Sequence, residues 1–183
     1  MTRIQAINSL FFLFLAGSLA GCGQAIKHNG YLVKVCDTAS ENCGYANPEG
    51  VIVIPPGKYS MCFTDTFRTF AIVTIPKRGF VAIDRKENIL FDVFPFDNGP
   101  DYPSDGLFRI IANNKIGYAD PFTGKIVIAP QFECAWPFEN GLARVSIKCT
   151  TQSDGEHSTW LSDNWYYIDK KGKKAEKPKE TNE

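Results

Sequence analysis

One short phrase recurs along the chain, and it limits the folds available more than any other feature. It reads Gly44-Tyr45-Ala46-Asn47, Gly79-Phe80-Val81-Ala82-Ile83-Asp84, Gly117-Tyr118-Ala119-Asp120 and Trp165-Tyr166-Tyr167-Ile168-Asp169. Each copy is an aromatic strand seed that ends in Asp or Asn. Asn47 to Asp84 is 37 positions and Asp84 to Asp120 is 36. Self-similarity at this period marks a stacked array of supersecondary units, not one irregular core. The expected fold class is therefore all-β: a tandem repeat of short β-hairpins and three-stranded units forming a compact array.

The third unit is the clearest. Ile116 to Asp120 is a short strand, Pro121-Phe122-Thr123-Gly124 has turn chemistry, and Lys125 to Ala129 is a second strand that Pro130 should stop. Bulky plugs follow, Phe132, Trp136 and Phe138; then Asn140-Gly141 turns into a third strand, Leu142 to Lys148. Asp105-Gly106-Leu107 in the second unit matches Asn140-Gly141-Leu142 at an offset of 35, and Pro95-Phe96 aligns with Pro137-Phe138. Asn113-Asn114-Lys115 is a tight turn that predicts a hairpin between Leu107–Ala112 and Ile116–Asp120. The first unit has strands at Gly50–Pro56 and Phe70–Ile75, and the fourth is a fragment. Residues Thr150 to Asp163 are an insertion that lengthens the third unit, and insertions in arrays map to loops on one face, often the binding face.

The N-terminus is an address. Met1-Thr2-Arg3 is a basic start, Leu10-Phe11-Phe12-Leu13-Phe14-Leu15 is an apolar centre, and small residues follow, the plan of a secretory signal peptide. Leu19-Ala20-Gly21-Cys22 resembles the lipobox of bacterial lipoproteins. That resemblance implies cleavage before Cys22, lipidation of Cys22 with diacylglycerol and an acyl chain such as palmitate, and a membrane contact made through that lipid. Gly23 after the cysteine implies the outer membrane, on its periplasmic face, if the host is Gram-negative. The organisation expected is a signal peptide at 1–21, a lipidated terminus and spacer at 22–43, the repeat domain at 44–175 and a charged, disordered tail at 176–183.

Charge is balanced, with 20 basic and 20 acidic residues, so there is no basic field to attract nucleic acid. Cys36, Cys43, Cys62, Cys134 and Cys149 remain after Cys22, and an oxidising compartment permits disulfides. Cys36 with Cys43, across a polar loop, and Cys134 with Cys149 are the candidate pairs, leaving Cys62. The alternative is that these are small buried side chains. No Cys-x-x-Cys occurs and the two histidines, His28 and His157, stand apart, so no metal site and no cofactor are expected. Catalytic motifs are absent as well, and no catalytic residue is assigned. Asp84, Asp120 and Asp169 end strands and open turns, where a carboxylate caps the backbone locally.

The units resemble the WG-repeat family (also called KWG repeats). The residues that carry the resemblance are Lys115-Ile116-Gly117-Tyr118-Ala119-Asp120, Thr123-Gly124-Lys125-Ile126-Val127-Ile128-Ala129-Pro130-Gln131-Phe132 and Phe138-Glu139-Asn140-Gly141-Leu142-Ala143-Arg144-Val145. The second unit, at Arg78-Gly79-Phe80, lacks the Trp of the motif, and the fourth has Trp165 but places Tyr166 where Gly is expected. The resemblance implies all-β repeats and assigns no common activity.

Arrays of this kind bind more often than they catalyse. Arg109 and Arg144 are equivalent by repeat and should share one sheet face, where they either hold an anionic ligand or keep the face soluble. Trp136, Trp160 and Trp165 are candidate surface stackers, with Trp160 in the insertion the most exposed. The functional expectation is a membrane-anchored envelope module that binds or scaffolds another protein through the insertion and a sheet face, using Trp160, Trp165, Arg109 and Arg144. Cell-wall or glycan binding is the alternative: Trp165 to Lys173 resembles one unit of a choline-binding wall repeat. An envelope enzyme and a simple structural lipoprotein are the remaining readings.

Overall fold

Nineteen short strands and no helix make up the described part of the chain, residues 30–40, 42–153, 155 and 158–176 of a computed structural model. The signal segment, Cys22, both histidines and the tail from 177 onward lie outside the described residues. The first unit contains β1 (Leu32–Cys36), β2 (Cys43–Ala46), β3 (Ile52–Tyr59), β4 (Met61–Cys62), β5 (Thr66–Phe67) and β6 (Phe70–Ile75). The second contains β7 (Gly79–Asp84), β8 (Ile89–Val93), β9 (Pro95–Phe96), β10 (Gly99–Pro100) and β11 (Phe108–Ala112). The third contains β12 (Lys115–Ala119), β13 (Ile126–Phe132), β14 (Cys134–Ala135) and β15 (Leu142–Ser146), then the insertion, β16 (Thr150–Ser153) and β17 (Ser158–Leu161). A partial fourth unit has β18 (Tyr166–Asp169) and β19 (Lys174–Ala175).

The recurring phrase is the recurring strand: β2, β7 and β12 each pair antiparallel with the strand before and the strand after, and β18 pairs with β15, across the insertion, and with β19. The turn after each is built the same way. Asn47 Oδ1 accepts the Val51 N–H, and Asp84, Asp120 and Asp169 accept the N–H groups of Lys86 and Asn88, of Phe122 and Thr123, and of Lys171 and Lys173. Each turn then needs one residue with positive φ: Gly50, Glu87, Gly124 and Gly172, at 82°, 64°, 70° and 76°. The acids therefore hold turns, as their local sequence implies. Asn113 and Asn114 both take positive φ, as a two-residue hairpin turn requires, and β11 pairs with β12 from Phe108↔Ala119 to Ala112↔Lys115.

Glycine at the head of the phrase has a steric cause. A Cβ on Gly117 would lie 2.5 Å from the Ile128 carbonyl oxygen and 2.6 Å from the Pro130 nitrogen; on Gly44 it would lie 2.3 Å from the Ile54 oxygen. In both places the facing strand bulges toward the glycine around a proline. Pro130 therefore does not stop the strand, contrary to the sequence expectation. β13 is an edge strand, so a missing N–H is tolerated and pairing resumes at Phe132. Tyr166 can replace glycine because β19 ends before reaching it: the pairing stops at Tyr167↔Ala175.

The second unit departs from this plan. It has no proline bulge after Phe91, so β8 runs straight on to pair with β11 through Val93↔Ile110. That continuity fuses the middle of the array into one sheet of seven strands, ordered β13-β12-β11-β8-β7-β6-β4. Four-stranded sheets flank it, β3-β2-β1-β5 at one end and β14-β15-β18-β19 at the other. Leu32–Cys36, read from the sequence as spacer, is thus a sheet strand whose Leu32 enters the core. Both faces of β7 are covered: Val81 and Ile83 pack with Tyr45, Ile54 and Phe67, and Ala82 packs with Phe91, Phe108 and Ile110. A third cluster joins Tyr118, Ile128, Phe132, Phe138, Val145 and Ile168. Each such ring or branched chain contributes about 1.5–3 kcal/mol by leaving water.

Two disulfides reinforce the units. Cys134 bonds to Cys149. Cys43 bonds to Cys62, not to Cys36, and Cys36 is an exposed free thiol. Burial explains the choice: Cys43 and Cys62 both sit in the first core cluster, whereas Cys36 lies at the exposed end of β1. Ile116 and Ala135 hold the corresponding places in the third unit and are both buried.

Candidate binding surface

Backbone bonds establish which side chains are equivalent. The Phe94 N–H donates to the Arg109 carbonyl at 3.1 Å, and the Trp136 N–H donates to the Arg144 carbonyl at 3.0 Å. Ser104 and Leu107 exchange bonds as Glu139 and Leu142 do, and Asp105-Gly106 and Asn140-Gly141 share φ values of 52° and 83°. These turns also touch. The Gly141 N–H donates to Asp105 Oδ2 at 2.5 Å, and Lys170 Nζ donates to Asp105 Oδ1 at 2.7 Å, so one carboxylate links three successive units. The repeats are stacked, and Arg109 and Arg144 do hold equivalent positions.

Their surroundings nevertheless differ. Arg109 is 3% exposed, which corrects its place on an open sheet face. Its backbone N–H and Nε donate to Asp101 Oδ2 at 2.7 and 3.0 Å, and Nη2 donates to Oδ1. Nη1 donates to the Ala135 carbonyl of the next unit. The guanidinium lies 4.1 Å from the Phe94 ring centroid and 5.5 Å from that of Phe96. A charge this deep is sustained only because every donor face has a partner. Arg144 is exposed, lies 4.5 Å from the centroid of Trp165, and pairs with no carboxylate among the described residues.

The insertion is a hairpin, not an irregular loop. β16 pairs with β17 from Thr150↔Leu161 to Ser153↔Ser158. Its Trp160 is partly buried, in edge-to-face contact with Trp136 at 5.6 Å and with Phe94 at 5.8 Å. Trp136, at 44%, is the tryptophan most open to solvent. Beside it lies a groove of about 670 Å³, lined by Trp136, Pro137, Glu139, Asn140, Arg144 and Tyr167 among others. Three of the four residues singled out from the sequence thus meet one surface: Trp160 through Trp136, and Trp165 through Arg144. Arg109 supports that surface from beneath, through Phe94.

Sequence reading missed Asp101, Phe94 and the exposed Phe96. Pro95-Phe96 does not occupy the place of Pro137-Phe138: Phe138 is fully buried, while Phe96 is half-exposed next to the small β9–β10 hairpin. A usable signal existed. Phe94 to Leu107 spans 13 positions and Trp136 to Leu142 spans 6, so the second unit carries seven extra residues, Asp101 among them. Among the described residues no group of His, Cys, Asp and Glu side chains is arranged to hold a metal ion. None of the helix-free described chain provides an apolar helix to cross a membrane.

The period, the turn acids and the close-approach glycine decide the kind of repeat. Residues 116–148 match the WG containing repeat family. The matched stretch begins in β12 and ends two residues after β15, so it covers the core of the third unit, where the glycine faces the proline bulge. The chain thus carries a WG repeat within an all-β array. No curated protein and no solved structure matches it.

Proposed function

We propose that this chain is a lipid-anchored binding module of the bacterial cell envelope, tethered through Cys22 and presenting its WG-type array to a partner protein. The observation that carries the reading is the insertion hairpin, which lays Trp160 against Phe94 and against Trp136, itself part of the lining of an open groove. Large aromatic side chains held rigidly at a surface supply contact area at low entropic cost, and Trp and Arg dominate binding hot spots. The lipobox-like Leu19-Ala20-Gly21-Cys22 supports the anchor, and Gly23 supports an outer-membrane address. Two disulfides fit an exported domain.

Photo-crosslinking from Thr151 or Thr159, on the insertion hairpin, tests the reading in the native envelope. A discrete protein adduct that disappears with Trp136→Ala is the expected result; purely lipid or glycan adducts would remove the protein partner. Metabolic labelling with a palmitate analogue, lost in Cys22→Ser, tests the anchor separately.

A further inference from the structure

The array contains a worked example of what its own groove can hold. In the second unit, the extended segment Gly99-Pro100-Asp101 lies along the backbone at Phe94. The Asp101 N–H donates to the Phe94 carbonyl at 2.8 Å, and the Asp101 carboxylate receives the backbone N–H and guanidinium of Arg109. An aromatic ring, Phe94, covers the guanidinium. In the third unit the corresponding parts are Trp136 for Phe94 and Arg144 for Arg109. The seven extra residues that carry Asp101 are missing there, and the groove beside Trp136 is open. Arg109 also donates to the Ala135 carbonyl of the next unit, whereas Arg144 is exposed.

We infer that the groove between Trp136 and Arg144 binds an extended acidic peptide segment of a partner protein, its carboxylate paired with Arg144 as Asp101 pairs with Arg109. This inference rests on the protein-partner reading and specifies its chemistry. A forked guanidinium favours a planar carboxylate over other anions through two parallel bonds. An aromatic wall suits the flanking apolar residues of a peptide. The Trp136 carbonyl already accepts the Tyr118 hydroxyl at 2.6 Å, where the second unit has Ala82, but its remaining lone pair is available to a ligand N–H. Glu139 lines the same groove and is its one carboxylate, so it opposes an acidic ligand and sharpens the requirement for Arg144.

The probe is the internal template itself, a synthetic peptide copying Asn98 to Ser104, titrated into the full chain and followed by the NMR signal of the arginine Nε–H groups and by calorimetry. Saturable binding is expected, with the Arg144 signal moving. It should weaken at least tenfold when the peptide's Asp is replaced by Asn or when the protein carries Arg144→Gln, and tighten with Glu139→Gln. Arg144 is exposed, so these variants should keep their thermal transition, which confirms that folding is not the variable. No saturable binding, or binding indifferent to Arg144→Gln, overturns the inference. So does Arg144-dependent binding of a muropeptide in place of the peptide, an Arg144-dependent dimer in sedimentation, or an Arg144 signal in the free protein that shifts with Glu180→Gln and Glu183→Gln. A crosslinked protein partner together with a silent peptide would leave the protein-partner reading standing and remove only this one.

Discussion

At the scale of single residues, the Asp101–Arg109 pair shows how a repeat position changes meaning with its surroundings. Both side chains are 3% exposed, so their charges have been taken out of water and are held by each other, by the Arg109 backbone N–H, by the Ala135 carbonyl and by the Phe94 and Phe96 rings. Removing one partner of such a pair leaves a buried charge uncompensated, at a cost of about 3–5 kcal/mol. Asp101→Ala is therefore expected to destabilise the domain by about that amount, measured by urea unfolding. Arg109→Met with Asp101→Leu should recover most of it, because a well-packed apolar pair avoids the desolvation penalty. A loss below about 1 kcal/mol for Asp101→Ala would mean the pair is hydrated and contributes as a surface bridge does. Arg144→Ala, by contrast, removes an exposed cation stacked on Trp165 and should change stability little.

At the scale of elements, the turn is the conserved device. Each of the four recurring strands ends in a side-chain oxygen that collects the N–H groups of its own turn, and in three of the four that oxygen belongs to a carboxylate. The bonds hold each carboxyl below its ordinary pKa: the Asn88 side chain foremost at Asp84, the Thr123 backbone N–H at Asp120 and the Lys173 N–H at Asp169. A group whose pKa is depressed on folding adds stability that is complete above its unfolded pKa and lost as pH falls through its folded one. The turns should therefore weaken as pH drops below about 4. Asn47 makes the equivalent bond to Val51 without titrating, so the first unit shows what a neutral version looks like. The triple variant Asp84→Asn, Asp120→Asn, Asp169→Asn is expected to flatten the fall of thermal midpoint between pH 5 and about 2.5; an unchanged slope would place the acid sensitivity elsewhere. These turns and the Asn113-Asn114 hairpin were legible in the sequence because each depends on neighbours within five residues, and the all-β array because its strand phrase recurs at 36 and 37 positions. The Cys43–Cys62 bond, the path of β13 through Pro130 and the burial of Arg109 were not. Each depends on a segment arriving from another part of the chain, and local pattern cannot report it. The candidate surface divides the same way: Trp160 and Trp165 stand out as residues, but only the folded array shows that Trp136 and Arg144 join them.

At the scale of the whole molecule, the array is not a simple stack of independent repeats. In a linear array, stability is a sum of unit and nearest-neighbour terms, and units open one at a time. Here β8 has no proline bulge after Phe91, and its Asp92 faces Val81 on β7 and Ile111 on β11, so strands of the first three units share one seven-stranded ladder. Opening the second unit must break β11 from β12, and it uncovers Ala119 of the third, which packs with Phe108 and Ile110. The two units should therefore open as one. Native-state hydrogen exchange in low denaturant tests this directly, since amides that open together share one free energy. Amides of β7, β8, β11 and β12 are expected to converge on a single value, with the β16–β17 hairpin and β19 exchanging well before them because each pairs with one partner strand only. Separate plateaus for Ala82 and Tyr118 would show that the fused sheet does not couple its units. Coupling also bears on the proposed peptide site: Tyr118 of that block bonds the Trp136 carbonyl and packs on Phe138, so this wall of the groove is held in place without a ligand. The ordering cost of association then falls mainly on the ligand.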